Sequence, residues 1–542
     1  MAEGGREHQQ EELAGTTRLI TEGEGIALVP EPTDSPNDPL NWSPLRKYWH
    51  ASLVLFITAL TAATSNDAGS AGDAMDEYLD ISYGVQNTAA GVLFLAIGYW
   101  CLLGSPLTTL YGSKIMYLVC LLSSLGGSIW FARVETKQDA IWCQLFVGAS
   151  ESCAEALVQL SLSALFFQHQ RGTVLGIYIL ATSIGTFLGP LIAGYIAATN
   201  WRWVGWSAAI VTAVTLIVFL FGLEETQFDR TAIIGRQGRR AVLQSSGEKS
   251  VDPEASKLPL ELQAAPKVNG HDPIEQGSAS GEQELPKSYW RSIQPITPAP
   301  NLVGTGLKQY GRRLVQTVKL FYFPAIVFSG LQWGLQDAWL SFYLTVEEDN
   351  WYNAPWYYTD AAVSIMNVPT LIGATIGCIY GGWFSDIFVR WMAKRRGGVS
   401  EAEDRLWLLL PSAIINPIGL ILFGVGSGKG WRWPVPYVGL GFIGFGWGCA
   451  GDLSMAYLMD AYPDIVLEGM VGVAVINNSL AAVFTFVCSY WLDASGLAST
   501  FVAIGILSLV FQMLTLPMIY WGKMWRRKTA TAYGQYLYIR DG

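Results

Sequence analysis

Residues 176–194 read GIYILATSIGTFLGPLIAG: Gly176, then Gly185, then Gly189-Pro190, then Ala193-Gly194, in an otherwise apolar run. Small residues at helical spacing let two membrane helices meet backbone to backbone. A proline in the same run bends the helix and frees carbonyls, which survive in a bilayer only beside another helix or a polar cavity. The combination suits a membrane helix along which two halves of a moving protein slide.

Composition agrees with lipid as the main solvent. Of 542 residues, 51% are hydrophobic and 14% charged, against roughly 25% charged in soluble domains. The net charge of -10 comes from acidic loops and tails and gives no argument for nucleic acid. Seven cysteines fall inside apolar runs without ligand spacing, and four histidines are scattered. No metal or other cofactor is expected, and the cysteines read as small hydrophobes in packed helices. The first forty residues lack the apolar core of a cleavable signal.

A helix needs about 20 apolar residues to cross a bilayer. That ruler marks spans near 48–70, 88–108, 115–134, 140–166, 173–196 and 203–223, then 317–345, 361–383, 406–425, 435–459, 467–490 and 499–521. The expected fold is therefore an all-α membrane protein of twelve transmembrane helices in two six-helix bundles, 48–223 and 317–521. Residues 1–47 read as a disordered tail and 522–542 as a C-terminal tail. Residues 224–316, rich in Gly, Ser, Pro, Glu and Gln, read as a flexible linker. Arg46-Lys47, Lys114, Arg171, Arg390, Lys394-Arg395-Arg396, Arg405 and Arg526-Arg527-Lys528 share one side of this topology. The positive-inside rule then puts both ends in the cytosol.

Ionisable residues inside spans are costly and mark pathways. Glu151 and Glu155 stand four apart in the fourth span and share a helix face. Two carboxylates there cannot both ionise cheaply, so one is expected to hold a proton. Glu155, the deeper, is the first proton-coupling candidate, with Glu151 and Asp67 behind it. Asp337 and Trp333 in the seventh span, Asp452 and Trp447 in the tenth, and Asn477-Asn478 in the eleventh are candidates to line a substrate cavity. A cavity with carboxylates and aromatic faces but no bases suits cationic or neutral solutes over anions.

After the eighth span comes Gly381-Gly382-Trp383-Phe384-Ser385-Asp386, followed by Arg390. An aspartate at a helix end beside arginines can pair across helices and latch an inner gate, so Asp386 with Arg390 is read as that latch. In the first half, Leu107-Thr108-Thr109-Leu110-Tyr111-Gly112-Ser113-Lys114 has Thr109 where an aspartate would stand. With Gly176, Gly185, Gly189, Pro190 and Gly194 shaping the sliding interface, these segments resemble the loop and fifth-helix signatures of the major facilitator superfamily. Asp38-Pro39-Leu40-Asn41-Trp42-Ser43, Phe166-Phe167-Gln168-His169-Gln170-Arg171-Gly172, Trp201-Arg202-Trp203 and Leu223-Glu224-Glu225-Thr226 resemble its fungal drug:proton antiporters. In one departure, Gln144 occupies the fourth-helix position where that group carries an arginine linked to proton movement.

The resemblance implies a secondary transporter in the plasma membrane, with the vacuolar membrane as alternative. It would exchange protons for a drug, toxin or secondary metabolite and export it as a monomer. Uptake or facilitated passage of a nutrient or polyamine-like cation, and a non-transporting sensor on the same scaffold, are the alternatives. An ATP-driven pump does not fit: Gly426-Ser427-Gly428-Lys429 lacks the upstream glycine of a phosphate loop. An enzyme is not expected either, since the spans hold no nucleophile–base pair.

Overall fold

The computed structural model describes residues 13–20, 28–228, 230, 286–351 and 354–541. The first half contains α1 (Pro44–Asn66), α2 (Tyr83–Tyr111), α3 (Ser113–Phe131), α4 (137–165), α5 (171–200) and α6 (Arg202–Gly222). The second contains α7 (Pro324–Asn350), α8 (367–395), α9 (Leu409–Gly428), α10 (Val435–Ala461), α11 (Val466–Ser495) and α12 (Leu497–Gln512), and α13 (Thr515–Asp541) continues from it. Among the described residues eight helices are long and apolar enough to cross a membrane, and α7 joins them when counted with Leu307–Leu320, from which it is bent by 79°. The less apolar α1, α4 and α10 complete the twelve. Two of these three carry acids on their buried length: Glu151 and Glu155 in α4, Asp452 in α10.

Local signals explain several boundaries. Thr136 and Asp139 form a reciprocal capping box that starts α4. Gly112 alone joins α2 to α3 at φ 99°, a conformation that costs a side chain dearly. Glu225 then fills the cradle: Ser113 Oγ donates to it at 2.5 Å and the Lys114 backbone N–H at 3.1 Å. A carboxylate on the first turn of α3 satisfies N–H groups left over by the helix.

The halves meet along two seams. In one, α2 packs on α11; in the other, α5 packs on α8 and α10. Close approach dictates the residues of α5, but at Gly185 and Gly189 the neighbour is α1 of the same half, so of the expected sliding residues it is Gly176, against Cys378 and Gly382 of α8, that lies between the halves. A Cβ on Gly185 would fall 2.3 Å from the Ala59 carbonyl oxygen of α1, and one on Gly189 2.8 Å from Ala63. Pro190 has no N–H to give, and a π turn at Ile184–Leu188 absorbs the mismatch just before it. Gly194 lies on the following turns, in Gly189–Asn200. All seven cysteines are free and buried.

The tails differ from the expectation of disorder wherever they are described. Thr16–Arg18 pairs antiparallel with Val399–Glu401, the loop between α8 and α9. Asp38 caps the turn Pro39–Asn41 and pairs with Arg230 at 3.2 Å. Most of the expected linker 224–316 lies outside the described residues. Its last part is docked rather than loose: the Thr297 and Ala299 N–H groups donate to carbonyls of Tyr111 and Leu110. The helix Leu307–Leu320 crosses the expected boundary at 316, and α13 crosses the one at 521. Arg526 is buried on Glu403 and Glu401, while Tyr533 and Tyr536 donate to Asp464 and Glu468.

Candidate substrate cavity and inner gate

The centre of the molecule collects acids from both halves. Glu155 lies on a π turn of α4, Cys153–Leu157, a deformation that re-aims side chains and is common at functional sites. It faces Asp337 of α7 and Glu151, and lies against Asn477 of α11. Glu151 faces Ser65 of α1 and Asp337. The two glutamates keep part of their surface open, whereas Asp337 is buried and accepts a 3.0 Å hydrogen bond from Trp447 Nε1.

Aromatic rings form the other wall. The Trp447 ring lies 4.7 Å from that of Trp333, and Phe187 meets it edge-on at 5.8 Å. Phe187 is presented by the π turn of α5, so the same distortion that accommodates Pro190 also sets this ring against Trp447. Glu155 Oε2, Trp333 Nε1 and both amide atoms of Asn477 have no hydrogen-bond partner within the protein. Buried polar atoms are normally paired, so this group has hydrogen-bonding capacity to spare. Among the described residues, the charged groups facing Glu151, Glu155 and Asp337 are these acids themselves. An uncompensated set of carboxylates against ring faces is chemistry for a cation.

Toward the face that bears both tails, a second group of charges closes the seam. Asp386 of α8 pairs with Arg405 at 3.0 Å. It also accepts from the backbone N–H of Gly172 at 3.1 Å and of Thr173 at 2.7 Å, capping the start of α5 in the opposite half. Arg405 donates in turn to Asp460 at the end of α10 at 2.6 Å, and Asp460 takes Arg171 at 2.9 Å. Two aspartates and two arginines, all buried, thus balance one another across the boundary.

The expected partner of Asp386 is corrected by this geometry. Arg390 turns back to the Asp386 carbonyl of its own helix at 3.1 Å, because it lies one turn along α8 and cannot reach over its own backbone. Arg405, from the turn Ala402–Leu408 ahead of α9, approaches from the side and takes the carboxylate. Thr109 in the first half bonds within its own helix, to the Pro106 carbonyl.

Other candidates divide. Asn477 joins the cavity, whereas Asn478 bonds to the Ala474 carbonyl and packs beside Gly98 of α2. Asp67 ends α1 as its capping residue, apart from the acids that face Glu155. Asp452 lies away from the cavity, between Gly176, Gly381 and Gly382. Phe187, Ser65, Arg405, Asp460 and the bonded role of Arg171 were not anticipated. The signal for the last three was present as charges at helix ends, where position alone does not say which will pair.

Comparison with known proteins agrees with this architecture. A family model described as Major Facilitator Superfamily matches residues 51–485. "Uncharacterized MFS-type transporter C1271.10c" of Schizosaccharomyces pombe is 50% identical, covering 98% of this chain and 94% of its own. Protein HOL1 of Saccharomyces cerevisiae is 49% identical, covering 97% and 94%. Among solved structures, the proton:xylose symporter XylE overlays with a TM-score of 0.58 at 10% identity, over 88% of this chain and 97% of that one. This last likeness bears on the fold alone. A chain of twelve helices in two such halves, matched over this length, is a transporter and not an enzyme. It belongs to the major facilitator superfamily.

Proposed function

We propose that the protein moves a small organic cation across the plasma membrane by alternating access, with a proton exchanging for it on Glu155. The observation that carries this reading is the convergence of Glu151, Glu155 and Asp337 beside the Trp333 and Trp447 rings, with no base facing them. Holding several carboxylates ionised in a dry cavity is costly unless cations accompany them. A proton and a cationic solute therefore compete for the same site, and binding one expels the other. That competition is the physical basis of antiport, and efflux is the direction we favour. Both tails face the cytosol in this reading, the four-residue charge group closes the cytosolic side, and the two halves rock as a monomer about the α2–α11 contact and that of α5 with α8 and α10. The substrate class spans drugs, toxins and secondary metabolites that carry positive charge.

Facilitated passage or proton-linked uptake, of a polyamine-like cation for example, is the second reading. Gln144 favours it: the residue is buried, neutral, and its Oε1 has no partner within the protein. The test is uptake into proteoliposomes of labelled tetraphenylphosphonium and spermidine, with and without an imposed pH gradient, by the wild type and Glu155→Gln. Accumulation driven by the gradient and lost in the variant supports exchange. Flux of either cation that ignores pH supports the facilitator. Saturable binding without flux would overturn both in favour of a sensor.

A further inference from the structure

Asp452 of α10 is wholly buried, and neither of its carboxylate oxygens has a hydrogen-bond donor within the protein. It is enclosed by helix backbones: a Cβ on Gly176 of α5 would lie 3.0 Å from Oδ2, and one on Gly382 of α8 3.1 Å. On the preceding turn of α5, a Cβ on Gly172 would meet Arg405 Nη1 and Asp386 Oδ1, each at 2.5 Å. The acid and the charge group thus occupy adjacent turns of one helix, separated along its axis by about 5.4 Å. On the other side, the neighbouring Gly451 packs against the Trp333 ring of the central cavity. Asp452 therefore sits between the two sites. The titratable and charged groups that face it are Arg405 and Asp386, the Cys378 thiol of α8 and the Cys449 thiol of α10, while α5 offers glycine backbone.

We propose that Asp452 is a second proton site, distinct from Glu155, whose ionisation releases the inner gate. The inference rests on the alternating-access reading above. Arg171, Arg405, Asp386 and Asp460 balance as they stand, so a further negative charge beside them is uncompensated unless an arginine turns to it. With its proton on, Asp452 leaves Arg405 with Asp386 and Asp460. When the proton passes to cytosolic water, the carboxylate competes for Arg405, which stays charged throughout. Asp386 then loses the partner that holds it on Gly172 and Thr173, and the two halves part at the tail face.

The test uses spin labels on the full-length protein at Leu45→Cys and Trp391→Cys. Both positions are exposed, one on each half and both toward the tail face, and the native cysteines are buried. Interspin distances are measured in acid and in alkaline buffer. In the wild type a longer-distance population is expected to grow as pH rises. Asp452→Asn, nearly isosteric and always neutral, is expected to stay at the short distance at every pH while binding tetraphenylphosphonium as the wild type does. If Asp452→Asn fails to bind the probe, Asp452→Ala, which also cannot ionise, is measured instead and is expected to stay short. An Asn or Ala variant that opens with the wild-type pH dependence overturns the proposal. Glu155→Gln, run in parallel, reads the other claim: gradient-driven uptake that survives it sinks the central proton site, whatever the labels report.

Discussion

Arg171 and Asp460 are joined at 2.9 Å across the boundary between the two halves, and both side chains are almost fully buried. Asp460 also receives Arg405 at 2.6 Å. Removing this one carboxylate strips two buried guanidinium groups of a partner, and breaking a buried pair on one side costs about 3–5 kcal/mol. Asp460→Asn is therefore expected to depopulate the state closed at the tail face and to lower Tm. The label pair at Leu45 and Trp391 measures the first effect, and thermal unfolding in detergent the second. Unchanged distances together with an unchanged Tm would mean that the bridge contributes little to closure.

The Trp447 side chain has two jobs, one for its ring and one for its N–H. The ring stands 4.7 Å from Trp333, and Nε1 donates to Asp337 at 3.0 Å. A desolvated cation–π contact is worth roughly 0.5–2 kcal/mol. Trp447→Ala is expected to raise KM for a cationic solute about two- to thirty-fold. Trp447→Phe keeps a ring face, frees Asp337, and is expected to fall between. Initial-rate transport of labelled tetraphenylphosphonium separates the three proteins. Equal KM values for Ala and Phe would assign the effect to the lost hydrogen bond rather than the ring.

Glycines in helices α3 and α5 give a paired test of close packing inside the first half. A Cβ at Gly126 meets nothing within 4 Å, whereas one at Gly185 would lie 2.3 Å from the Ala59 carbonyl oxygen. Gly126→Ala is expected to be silent. Gly185→Ala must push α1 and α5 apart, at a cost of about 1–3 kcal/mol for overpacking, and is expected to cut transport more than cation binding. Measuring kcat and binding on both variants checks it, and a Gly185→Ala protein with wild-type kcat would show that transport does not depend on the α1–α5 contact.

How much could be read beforehand follows from the range over which each signal acts. Gly185 and Gly189 betray a helix crossing because only backbone contact demands them, and the crossing is there, against Ala59 and Ala63. Glu155 betrays a site because a carboxylate in lipid needs a reason, and Asp337, from the other half, meets it. The pairing of Asp386 is not legible because sequence offers the nearest arginine, Arg390, whereas the partner is Arg405, nineteen positions on and delivered by the turn ahead of α9. Asn477 and Asn478 read alike in sequence, yet adjacent residues on a helix point about 100° apart, and only Asn477 lies against Glu155. The docked tail strand Thr16–Arg18 was invisible for a similar reason, since its partner Val399–Glu401 is a loop of the opposite half.

Arg46 and Glu224 supply a pH test outside the spans. Arg46 Nε and Nη2 donate to the two carboxylate oxygens of Glu224 at 2.8 and 2.5 Å, tying the first turn of α1 to the chain after α6. Burial pushes the Glu224 carboxyl up, but the Arg46 hydrogen bonds and charge outweigh it and hold the group below its usual range. A carboxylate depressed in the folded state adds stability above its unfolded pKa, about 4.3, and that contribution disappears as pH falls through the lower, folded value. The wild type should therefore have a higher Tm than Arg46→Met at neutral pH, with the gap closing in acid. Because the pair is partly exposed, with side-chain exposures of 37% and 19%, salt should narrow the gap as well. A Tm difference that persists undiminished in acid would assign the effect of Arg46 to its stacking on Trp42, 3.9 Å from the ring, rather than to Glu224.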